Sequence, residues 1–376
     1  MYSILVSATS FDKGKSGVSV YICNCLRELA VEHRVEVLAF NDDISLMPQH
    51  DNITYLPVRS FLKVPVINML WHLIWLPLRI CWKRYDFVLL PAANRRAFLF
   101  KRGTTLAVVH DLSQYHIDCK YDPLRMFYIK RILPGCIRRA DRVIAVSCST
   151  QTDLKKYWHM PCKKLCVNYN GYDRQIFYPI KDRTVLRQIR EKYALHKKYI
   201  FYISRIEHPG KNHLNLIKAY ERLPEKLRRE YDLVLAGSDW SGAEIVKAYA
   251  ADSSSCDSIK FTGFVEYTVL PVLMSGAALY VFPSFFEGFG LSLVEAMACK
   301  IPIACSANSS LGEIGGDAAM LFDPAEPEQI TESMVKILTD NNFRNKLVEA
   351  GTRRKELFDW RKHAEKLVAC YESSKN

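Results

Sequence analysis

One stretch in the second half of the chain constrains the fold more than any other. Residues 277–282 are apolar and end at a Pro-Ser pair, which is typical of a buried strand. Gly288 and Gly290 follow in a short loop, and a segment rich in Ala, Leu and Met then predicts a helix. The sequence therefore predicts a strand, a glycine-bearing loop and a helix N-terminus in direct succession.

Two glutamates flank that predicted helix start. Glu287 precedes Gly288 in the loop, and Glu295 lies in the first turns of the helix. A helix N-terminus offers unpaired backbone N–H groups and a positive dipole end, which suit an anion. Two carboxylates beside it are explained if each accepts hydrogen bonds from hydroxyls of a sugar nucleotide whose phosphates lie between them. The alternative is an ordinary crossover with two exposed glutamates.

The spacing of the glutamates, both glycines and the Glu-Ala-Met-Ala run together resemble the Glu-x7-Glu signature of retaining glycosyltransferases of family 4. The resemblance implies the GT-B fold, an α/β architecture in which two Rossmann-like domains with doubly wound parallel sheets face a central cleft. It also implies that Glu295 binds the nucleotide ribose and that Glu287 lies at the donor sugar. Loop amides would hold the sugar and the diphosphate, and they belong to Gly288, Phe289, Gly290, Leu291 and Ser292.

The chain departs from the family pattern at two positions. Ser292 stands where proline is usual, and it can act as an N-cap or simply start the helix. Lys300 stands where glycine is usual, and because lysine lacks glycine's ease at a helix C-terminus, we expect that turn to be built differently. Neither departure removes an expected ligand.

A second strand-to-helix junction supplies positive charge. Residues 199–204 predict a strand, and Arg205 and Lys211 bracket the turn before the next helix. A guanidinium and an ammonium there would grip a diphosphate and neutralise the charge that builds as it leaves. The resemblance gives the matching Arg and Lys this catalytic role. The alternative is that both residues are solvated surface cations.

The first half of the chain contains two further candidate sites. A strand predicted over residues 4–8 leads through a loop with Gly14 and Gly17 into a helix. The resemblance implies that these glycines face the diphosphate, whereas a flexible turn is the alternative. His110 follows a strand predicted over 106–109, at the carboxyl end where open α/β sheets bind ligands. The resemblance implies that His110 contacts the donor sugar.

The domain organisation follows from length and from the same resemblance. A chain of 376 residues exceeds one average core and suggests two or three domains. The Asn170–Asp173 turn resembles the end of the family's first domain, and the last helix resembles one that crosses back onto it. We predict an acceptor-side domain over 1–176, joined by residues 358–376, and a nucleotide-sugar-binding domain over 177–357.

The net charge of +12 is concentrated in one half of the chain. Residues 1–176 contain 25 basic and 14 acidic side chains, a net of +11, whereas residues 177–376 contain 27 and 26, a net of +1. The asymmetry indicates an anionic partner for the first half, such as phosphates, an anionic membrane surface or nucleic acid. A nucleic-acid-binding protein would explain neither the glutamates nor the glycines, and no nucleic-acid motif is recognised, so we expect no nucleic-acid partner.

Residues 64–82 are rich in Leu, Ile and Trp but are interrupted by Pro65, Pro77 and Arg79. The segment is too short and too interrupted for a membrane span, so it predicts a helix lying on the sheet. A role at a membrane surface is the alternative, with Trp71, Trp75 and Trp82 as interfacial anchors if the helix is exposed.

Taken together, the sequence predicts a retaining hexosyltransferase. It would move mannose or a similar hexose from a nucleotide diphosphate sugar to a hydroxyl of a glycan or polyprenyl-linked acceptor, in cell-surface polysaccharide or lipopolysaccharide synthesis. A nucleotide-sugar epimerase or a phosphorylase on the same fold is the alternative. We expect no cofactor beyond the donor as co-substrate and no metal, because Asp-x-Asp is absent and two cations can supply the charge.

The expected location is the cytoplasm, with peripheral docking on the inner face of the cytoplasmic membrane as an option. No signal peptide is visible, and the twelve cysteines are scattered without metal-type spacing, which is typical of reduced thiols.

Overall fold

The computed structural model describes residues 1–117 and 122–375, which form two compact α/β units. Unit 1 comprises the chain up to Gly171 together with the chain from Asp359 onward, and unit 2 comprises Tyr172–Phe358. The division at Gly171 lies five residues before the boundary predicted at 176. Each unit is described separately below.

Unit 1 is built on a seven-stranded sheet whose pairings are all parallel, in the order β3-β2-β1-β4-β5-β6-β7. Its central strands are continuous buried apolar runs, as expected for parallel strands covered on both faces. The strand order reverses between β1 and β4. The strands are β1 (Ser3–Ser7), β2 (Arg34–Phe40), β3 (Ile53–Val58), β4 (Phe87–Leu90), β5 (Thr105–Val109), β6 (Arg142–Ala145) and β7 (Leu165–Val167).

Unit 2 repeats this plan with a six-stranded parallel sheet in the order β10-β9-β8-β11-β12-β13. Here the order reverses between β8 and β11. The two parallel α/β sheets confirm the predicted fold class. The strands are β8 (Lys198–Ile203), β9 (Tyr231–Ala236), β10 (Ile259–Gly263), β11 (Leu279–Phe282), β12 (Ile303–Ser306) and β13 (Met320–Phe322).

Helices connect the strands in both units. They are α1 (Gly17–Glu32), α2 (Pro65–Leu70), α3 (Leu76–Arg79), α4 (Pro123–Phe127), α5 (Leu133–Arg138), α6 (Cys148–Trp158), α7 (Arg183–Lys192), α8 (His213–Glu221), α9 (Glu225–Glu230), α10 (Ala243–Asp252), α11 (Leu270–Gly276), α12 (Leu291–Ala298), α13 (Ser309–Gly315), α14 (Pro327–Thr339), α15 (Asn341–Arg354) and α16 (Trp360–Glu372).

The last helix, α16, packs within unit 1. The Tyr21 hydroxyl lies 2.8 Å from His363 Nε2, and the Asn168 side-chain amide donates to the His363 carbonyl at 2.9 Å. Gly171 passes so close that a Cβ there would lie 2.3 Å from the Trp360 backbone nitrogen. Glycine is therefore required at this point of contact.

The segment predicted as a single helix over 64–82 and the helical segment over 123–139 are each interrupted by a π turn. The Leu76 N–H donates to the Trp71 carbonyl, and the Leu133 N–H donates to the Tyr128 carbonyl. In each case a proline follows directly, at Pro77 and Pro134. Proline lacks an N–H and its ring clashes with the carbonyl four residues back, which explains why the helix widens there.

The 64–82 segment presents apolar side chains on two sides. Leu73 and Leu76 pack in the core of unit 1, as predicted for a helix lying on the sheet. Trp75 is 54% exposed, whereas Trp71 is partly buried. Within residues 1–117 and 122–375, no helix has the length and apolar character needed to cross a membrane.

The turn after α12 corrects one expectation from the sequence. Lys300 adopts a φ of 59°, the left-handed conformation that glycine usually supplies. The Lys300 N–H donates to Met297 O at 3.1 Å, and the Ile301 N–H donates to Ala296 O at 3.4 Å. The turn therefore has the conformation that it would have with glycine at position 300. The last carbonyls of α12 need hydrogen-bond donors whichever residue stands there.

We predict that Lys300→Gly raises the free energy of unfolding by about 0.5–1 kcal/mol, because it removes left-handed strain that exceeds the entropy added to the unfolded chain. Urea unfolding at neutral pH measures the change. Lys346→Gly, at an exposed position within α15, is the matched control and should lower stability by about 1 kcal/mol. A lower stability for Lys300→Gly would contradict the strain argument.

Candidate active site

The candidate site in unit 2 lies where its strand order reverses. Strands β8 and β11 are parallel neighbours, so the loops that follow them leave the same edge of the sheet. The loop after β8 contains Arg205 and Lys211, and the loop after β11 contains Glu287. Ligands of open α/β sheets bind at such a reversal, because the two loops diverge and leave a crevice.

Hydrogen bonds fix these two loops to each other. They join the buried side chains of Tyr202 and Asn212 to backbone carbonyls, and one backbone N–H to another carbonyl. The sequence analysis missed these residues, although an Asn directly before a helix is a capping signal. Between the loops, Asn212 Nδ2–H donates to Pro283 O (2.9 Å) and Phe285 N–H donates to Gly210 O (3.1 Å). The Tyr202 hydroxyl donates to Lys211 O in the loop after β8 (3.0 Å) and lies 2.9 Å from the Ser284 hydroxyl in the loop after β11.

An ion pair connects the two loops at their centre. Lys211 Nζ lies 2.7 Å from Glu287 Oε1, and the two side chains are only 19% and 16% exposed. The Glu287 backbone is also held, since its N–H donates to Ser309 Oγ and its carbonyl accepts from the Ser310 hydroxyl. An ammonium has three N–H donors, so a bond to Glu287 leaves Lys211 able to bind a diphosphate as well. The sequence predicted both residues but not their pairing.

Arg205 pairs with a different carboxylate, that of Glu207. Its guanidinium pairs with Glu207 Oε2 at 2.9 Å and lies 4.8 Å from the centre of the Trp240 ring. Among the described residues, no hydrogen bond or ion pair joins Arg205 to Lys211 or Glu287. The side chain is 46% exposed, so its charge is accessible to a ligand. Its action on the diphosphate stays a prediction.

The glycine loop has the geometry that an anion site at a helix start requires. Gly290 is the N-cap of α12 with a φ of 91°, and a Cβ there would lie 2.7 Å from Leu311 Cδ2. The Phe289 side chain is buried against Phe358, so only its backbone can face a ligand. Gly288 precedes it, and Leu291 is the first residue of α12. The N-terminal N–H groups of α12 therefore begin at the predicted place.

Ser292 is not the N-cap, contrary to one of its predicted roles. The helix begins one residue earlier, and the Ser292 hydroxyl accepts from the Tyr280 hydroxyl at 2.8 Å. Tyr280 is fully buried, and a buried phenol requires a partner. The Ser292 hydroxyl is therefore occupied by the hydrogen bond from Tyr280. The backbone N–H of Ser292 is left as the predicted donor-binding group.

Glu295 is buried, with 4% exposure, and accepts a hydrogen bond from the Tyr267 hydroxyl at 3.2 Å. Burial raises the pKa of Glu295 to about 8, whereas the Tyr267 bond opposes the rise and Asp173 adds to it. The carboxyl group is therefore mostly protonated at neutral pH in the ligand-free protein. A protonated carboxyl both donates and accepts, which suits vicinal ribose hydroxyls as well as a carboxylate does.

In unit 1, His110 follows β5, as predicted. Its Nε2 lies 2.7 Å from Pro91 O, and because a carbonyl only accepts, Nε2 carries the proton and Nδ1 is an acceptor. Burial lowers the pKa of His110 to about 4, and the charge of Arg95 acts in the same direction. A neutral imidazole here can accept a hydrogen bond from a hydroxyl. Its contact with the donor sugar stays a prediction.

The other predicted loop of unit 1 contains Gly14 and Gly17. Gly14 is exposed with a φ of 81°, and Gly17 is the first residue of α1. Asp12 Oδ1 accepts from the Ser16 N–H at 3.1 Å and from the Ser19 hydroxyl at 2.5 Å. The sequence analysis missed this carboxylate, which lies at the helix start where it predicted a diphosphate. The role of the two glycines stays a prediction.

No group of three or more His, Cys, Asp or Glu side chains within residues 1–117 and 122–375 is arranged to hold a metal ion.

Two family profiles match the chain. Glycosyltransferase Family 4 matches residues 15–176, and Glycosyl transferases group 1 matches residues 186–354. HepE of Anabaena, solved in complex with UDP-glucose, shares the fold with a TM-score of 0.76, at 18% identity over 99% of this chain and 100% of that one. The chain belongs to the family 4 glycosyltransferases and has the GT-B fold.

Two mannosyltransferases of Escherichia coli are similar to this chain in sequence. The O-antigen chain mannosyltransferase B of Escherichia coli is 26% identical over 262 residues, which are 70% of this chain and 68% of that protein. The serotype-specific mannosyltransferase WbdA of Escherichia coli is 31% identical over 262 residues, but this chain spans only 32% of its length.

A third relative covers nearly the whole of both chains. It is the N-acetylgalactosamine-N,N'-diacetylbacillosaminyl-diphospho-undecaprenol 4-alpha-N-acetylgalactosaminyltransferase of Campylobacter jejuni, 23% identical over 93% of this chain and 94% of that protein.

We predict that the raised pKa of Glu295 makes the protein less stable as pH rises. Between about 4.5, the ordinary value, and about 8, the unfolded carboxyl is ionised whereas the folded one is still protonated. The stability of the wild type relative to Glu295→Gln should therefore fall across this range, by at most about 1.4 kcal/mol per pH unit, and stay constant above it. Urea unfolding at a series of pH values measures the difference.

The exposed Glu244 provides a control for the same exchange, because Glu244→Gln shows the effect of removing one carboxylate from the surface of unit 2. If the difference in free energy of unfolding between wild type and Glu295→Gln stays constant from pH 5 to 8, Glu295 is ionised in the folded protein.

Proposed function

We propose that the protein transfers a hexose from a nucleotide diphosphate sugar to a hydroxyl of a glycan or lipid-linked acceptor, with retention of anomeric configuration. The observation that carries the proposal is the Lys211–Glu287 pair at the sheet reversal of unit 2, beside the N-terminus of α12. An ammonium and backbone N–H groups bind a diphosphate, and a carboxylate accepts hydrogen bonds from sugar hydroxyls.

The chemistry follows from these groups. The bond between the sugar C1 and the phosphate oxygen breaks, its electron pair stays on the nucleoside diphosphate, and an oxocarbenium-like centre forms. Lys211, Arg205 and the α12 amides would stabilise the growing phosphate charge. The acceptor oxygen bonds to C1 on the face that the phosphate leaves, and its proton passes to the departing phosphate oxygen. No separate protein base is then required.

Within unit 2, Glu287 and Glu295 would bind opposite parts of the donor. Glu287 follows β11, and its carboxylate pairs with the Lys211 ammonium, which would bind the diphosphate. Glu295 is the fifth residue of α12, in its second turn, and would bind the ribose hydroxyls. The donor would thus be held at both ends, which positions its anomeric carbon for reaction.

Mannose is the first sugar to test, and cell-surface polysaccharide or lipopolysaccharide is the proposed product. Support comes from the mannosyltransferase relatives, which are named for O-antigen chains and serotype specificity. A reducing, cytoplasmic location is consistent with the eleven cysteines that the structure describes, which are all free thiols.

A donor screen tests the proposal. GDP-mannose, UDP-glucose and UDP-N-acetylgalactosamine are compared by the rise in melting temperature, since a ligand at 100 times its dissociation constant stabilises the folded state by about 2.7 kcal/mol. The best donor is then incubated with an acceptor, and NMR of the product gives the anomeric configuration. An inverted product would contradict the retaining mechanism, and sugar release that depends on inorganic phosphate would indicate a phosphorylase.

The same assay tests metal independence. We expect the rate to be unchanged by EDTA, because cations of the protein supply the positive charge at the diphosphate. Loss of activity that magnesium or manganese restores would refute this.

We predict that Lys211→Met lowers kcat about a hundredfold and changes KM by only a few-fold, because charge on the leaving diphosphate grows toward the transition state. Lys211→Arg should retain more activity than Lys211→Met. Lys226→Met, an exposed lysine of unit 2, is the matched control. A raised KM with unchanged kcat would show that Lys211 acts only in substrate binding.

Loss of Lys211 also leaves Glu287 unpaired in a partly buried place, which lowers stability. The double variant Lys211→Met/Glu287→Gln restores charge balance, so its urea unfolding shows how much of the lost stability comes from the unpaired Glu287.

A further inference from the structure

Unit 1 contains a second sheet reversal, between β1 and β4, and the loop after β4 contributes two arginines there. They are Arg95 and Arg96, which follow the strand ending at Leu90. Ligands of open α/β sheets bind at such reversals. This edge also contains His110, because β5 is the parallel neighbour of β4.

Arg96 is held by groups that do not neutralise it. Its Nε–H donates to Asn68 Oδ1, and its Nη1–H donates to the Arg95 carbonyl at 2.8 Å. Within residues 1–117 and 122–375, no carboxylate forms an ion pair with Arg95 or Arg96. Burial lowers the pKa of Arg96 to about 10, and the charges of Arg95 and Arg125 add to the effect. A partly buried cation among other cations would be stabilised by an anion.

Two neutral donors next to Arg96 lack partners among the described residues. Asn68 is 1% exposed, and its Nδ2 has no hydrogen-bond acceptor in this part of the chain. The Tyr128 hydroxyl, which lies within electrostatic range of the Arg96 guanidinium, is also buried and has no partner among the described residues. Buried donors without partners are costly, so they indicate a ligand that accepts hydrogen bonds. We refer to Arg96, Asn68 and Tyr128 as the Arg96 cluster.

Asn68 and Tyr128 belong to the two interrupted helical segments of unit 1. Tyr128 begins the π turn before Leu133, and Asn68 lies one turn before the π turn that begins at Trp71. π turns in otherwise helical segments are frequent at functional sites. Both irregular segments therefore contribute hydrogen-bond donors to the Arg96 cluster.

The helical segment that supplies Asn68 also presents an apolar face to solvent. Six large apolar side chains between 66 and 78 are between 41% and 61% exposed, which is unusual for a monomeric protein surface. We refer to them as the exposed apolar face: Val66, Ile67, Leu70, Ile74, Trp75 and Leu78.

We propose that the Arg96 cluster binds the phosphate of a lipid-linked acceptor, a polyisoprenyl phosphate or diphosphate, whose hydrocarbon chain lies along the exposed apolar face. The assignment rests on the proposed function, which includes such an acceptor class. Phosphate oxygens accept hydrogen bonds from a guanidinium, an amide and a phenol together. Arg96 and Asn68 are recessed, which fits a single inserted headgroup better than the flat surface of a phospholipid bilayer. Hydrocarbon contact would cover the apolar face.

Vesicle co-sedimentation tests this assignment. Phosphatidylcholine vesicles carrying undecaprenyl diphosphate are compared with vesicles of equal surface charge carrying phosphatidylglycerol. We expect binding to the undecaprenyl diphosphate vesicles to be at least about tenfold tighter, and inorganic diphosphate to compete. Equal binding to both kinds of vesicle would overturn the assignment and indicate docking to bulk anionic lipid. Binding to neither would also overturn it.

Variants separate the two parts of the site. Arg96→Gln should weaken binding to undecaprenyl diphosphate vesicles about tenfold, and Ile67→Ser/Leu70→Ser should weaken it by a similar factor. The latter pair is exposed, so it tests the assignment even if Arg96→Gln does not fold. Controls are Arg34→Gln and Val31→Ser, an exposed arginine and an exposed apolar residue of the same unit. Unchanged binding in the Ile67→Ser/Leu70→Ser protein would contradict the role of the apolar face.

Stabilisation by the best donor sugar nucleotide is measured on the same samples. Donor binding without lipid binding would overturn the acceptor assignment alone, because Lys211 and Glu287, which carry the proposed function, belong to unit 2. Lipid binding without any donor binding would instead count against the proposed function.

Discussion

The ion pair between Lys211 and Glu287 requires two loops, separated by 76 residues in sequence, to hold one arrangement. A partly buried pair stabilises a fold only if its charges are well matched and its surroundings are fixed. The fold supplies both conditions, since Asn212 and Phe285 bind the loops together through backbone groups and the Tyr202 hydroxyl contacts Lys211 O in one loop and the Ser284 hydroxyl in the other. Much of the loop structure at this edge of unit 2 can be understood as support for that pair.

Both sheets place their polar groups by the same topological device. In a parallel sheet whose strand order reverses, the loops after two adjacent strands turn in opposite directions and leave backbone and side-chain groups open to a ligand. In unit 2 the reversal lies between β8 and β11 and carries Lys211 and Glu287. In unit 1 it lies between β1 and β4, where Arg96 is found. One architectural rule thus accounts for two sites of different chemistry.

Burial sets the protonation of the candidate groups. Glu295 and His110 are both neutral near pH 7 in the ligand-free protein, because burial disfavours the charged form of each. Lys211 and Glu287 are instead held as a pair. The neutral Glu295 and His110 suit sugar hydroxyls, as does the Glu287 carboxylate, whereas the Lys211 ammonium suits phosphate.

The sequence by itself determined the features that depend on neighbouring residues. Apolar runs predicted the parallel strands, and the glycines, the two glutamates and their spacing identified the loop before α12 and the family. The sequence placed Gly290 in that loop, where its φ of 91° is a conformation that glycine adopts without strain.

Only the tertiary structure decided which distant groups meet and how deeply they are buried. The partner of Lys211, the commitment of the Ser292 hydroxyl to Tyr280 and the neutral state of Glu295 all depend on segments far apart in the chain. The same is true of the Arg96 cluster, whose members come from three separate segments. Residue type and periodicity encode local backbone conformation, whereas pairing and desolvation arise only when the sheet brings its loops to one edge.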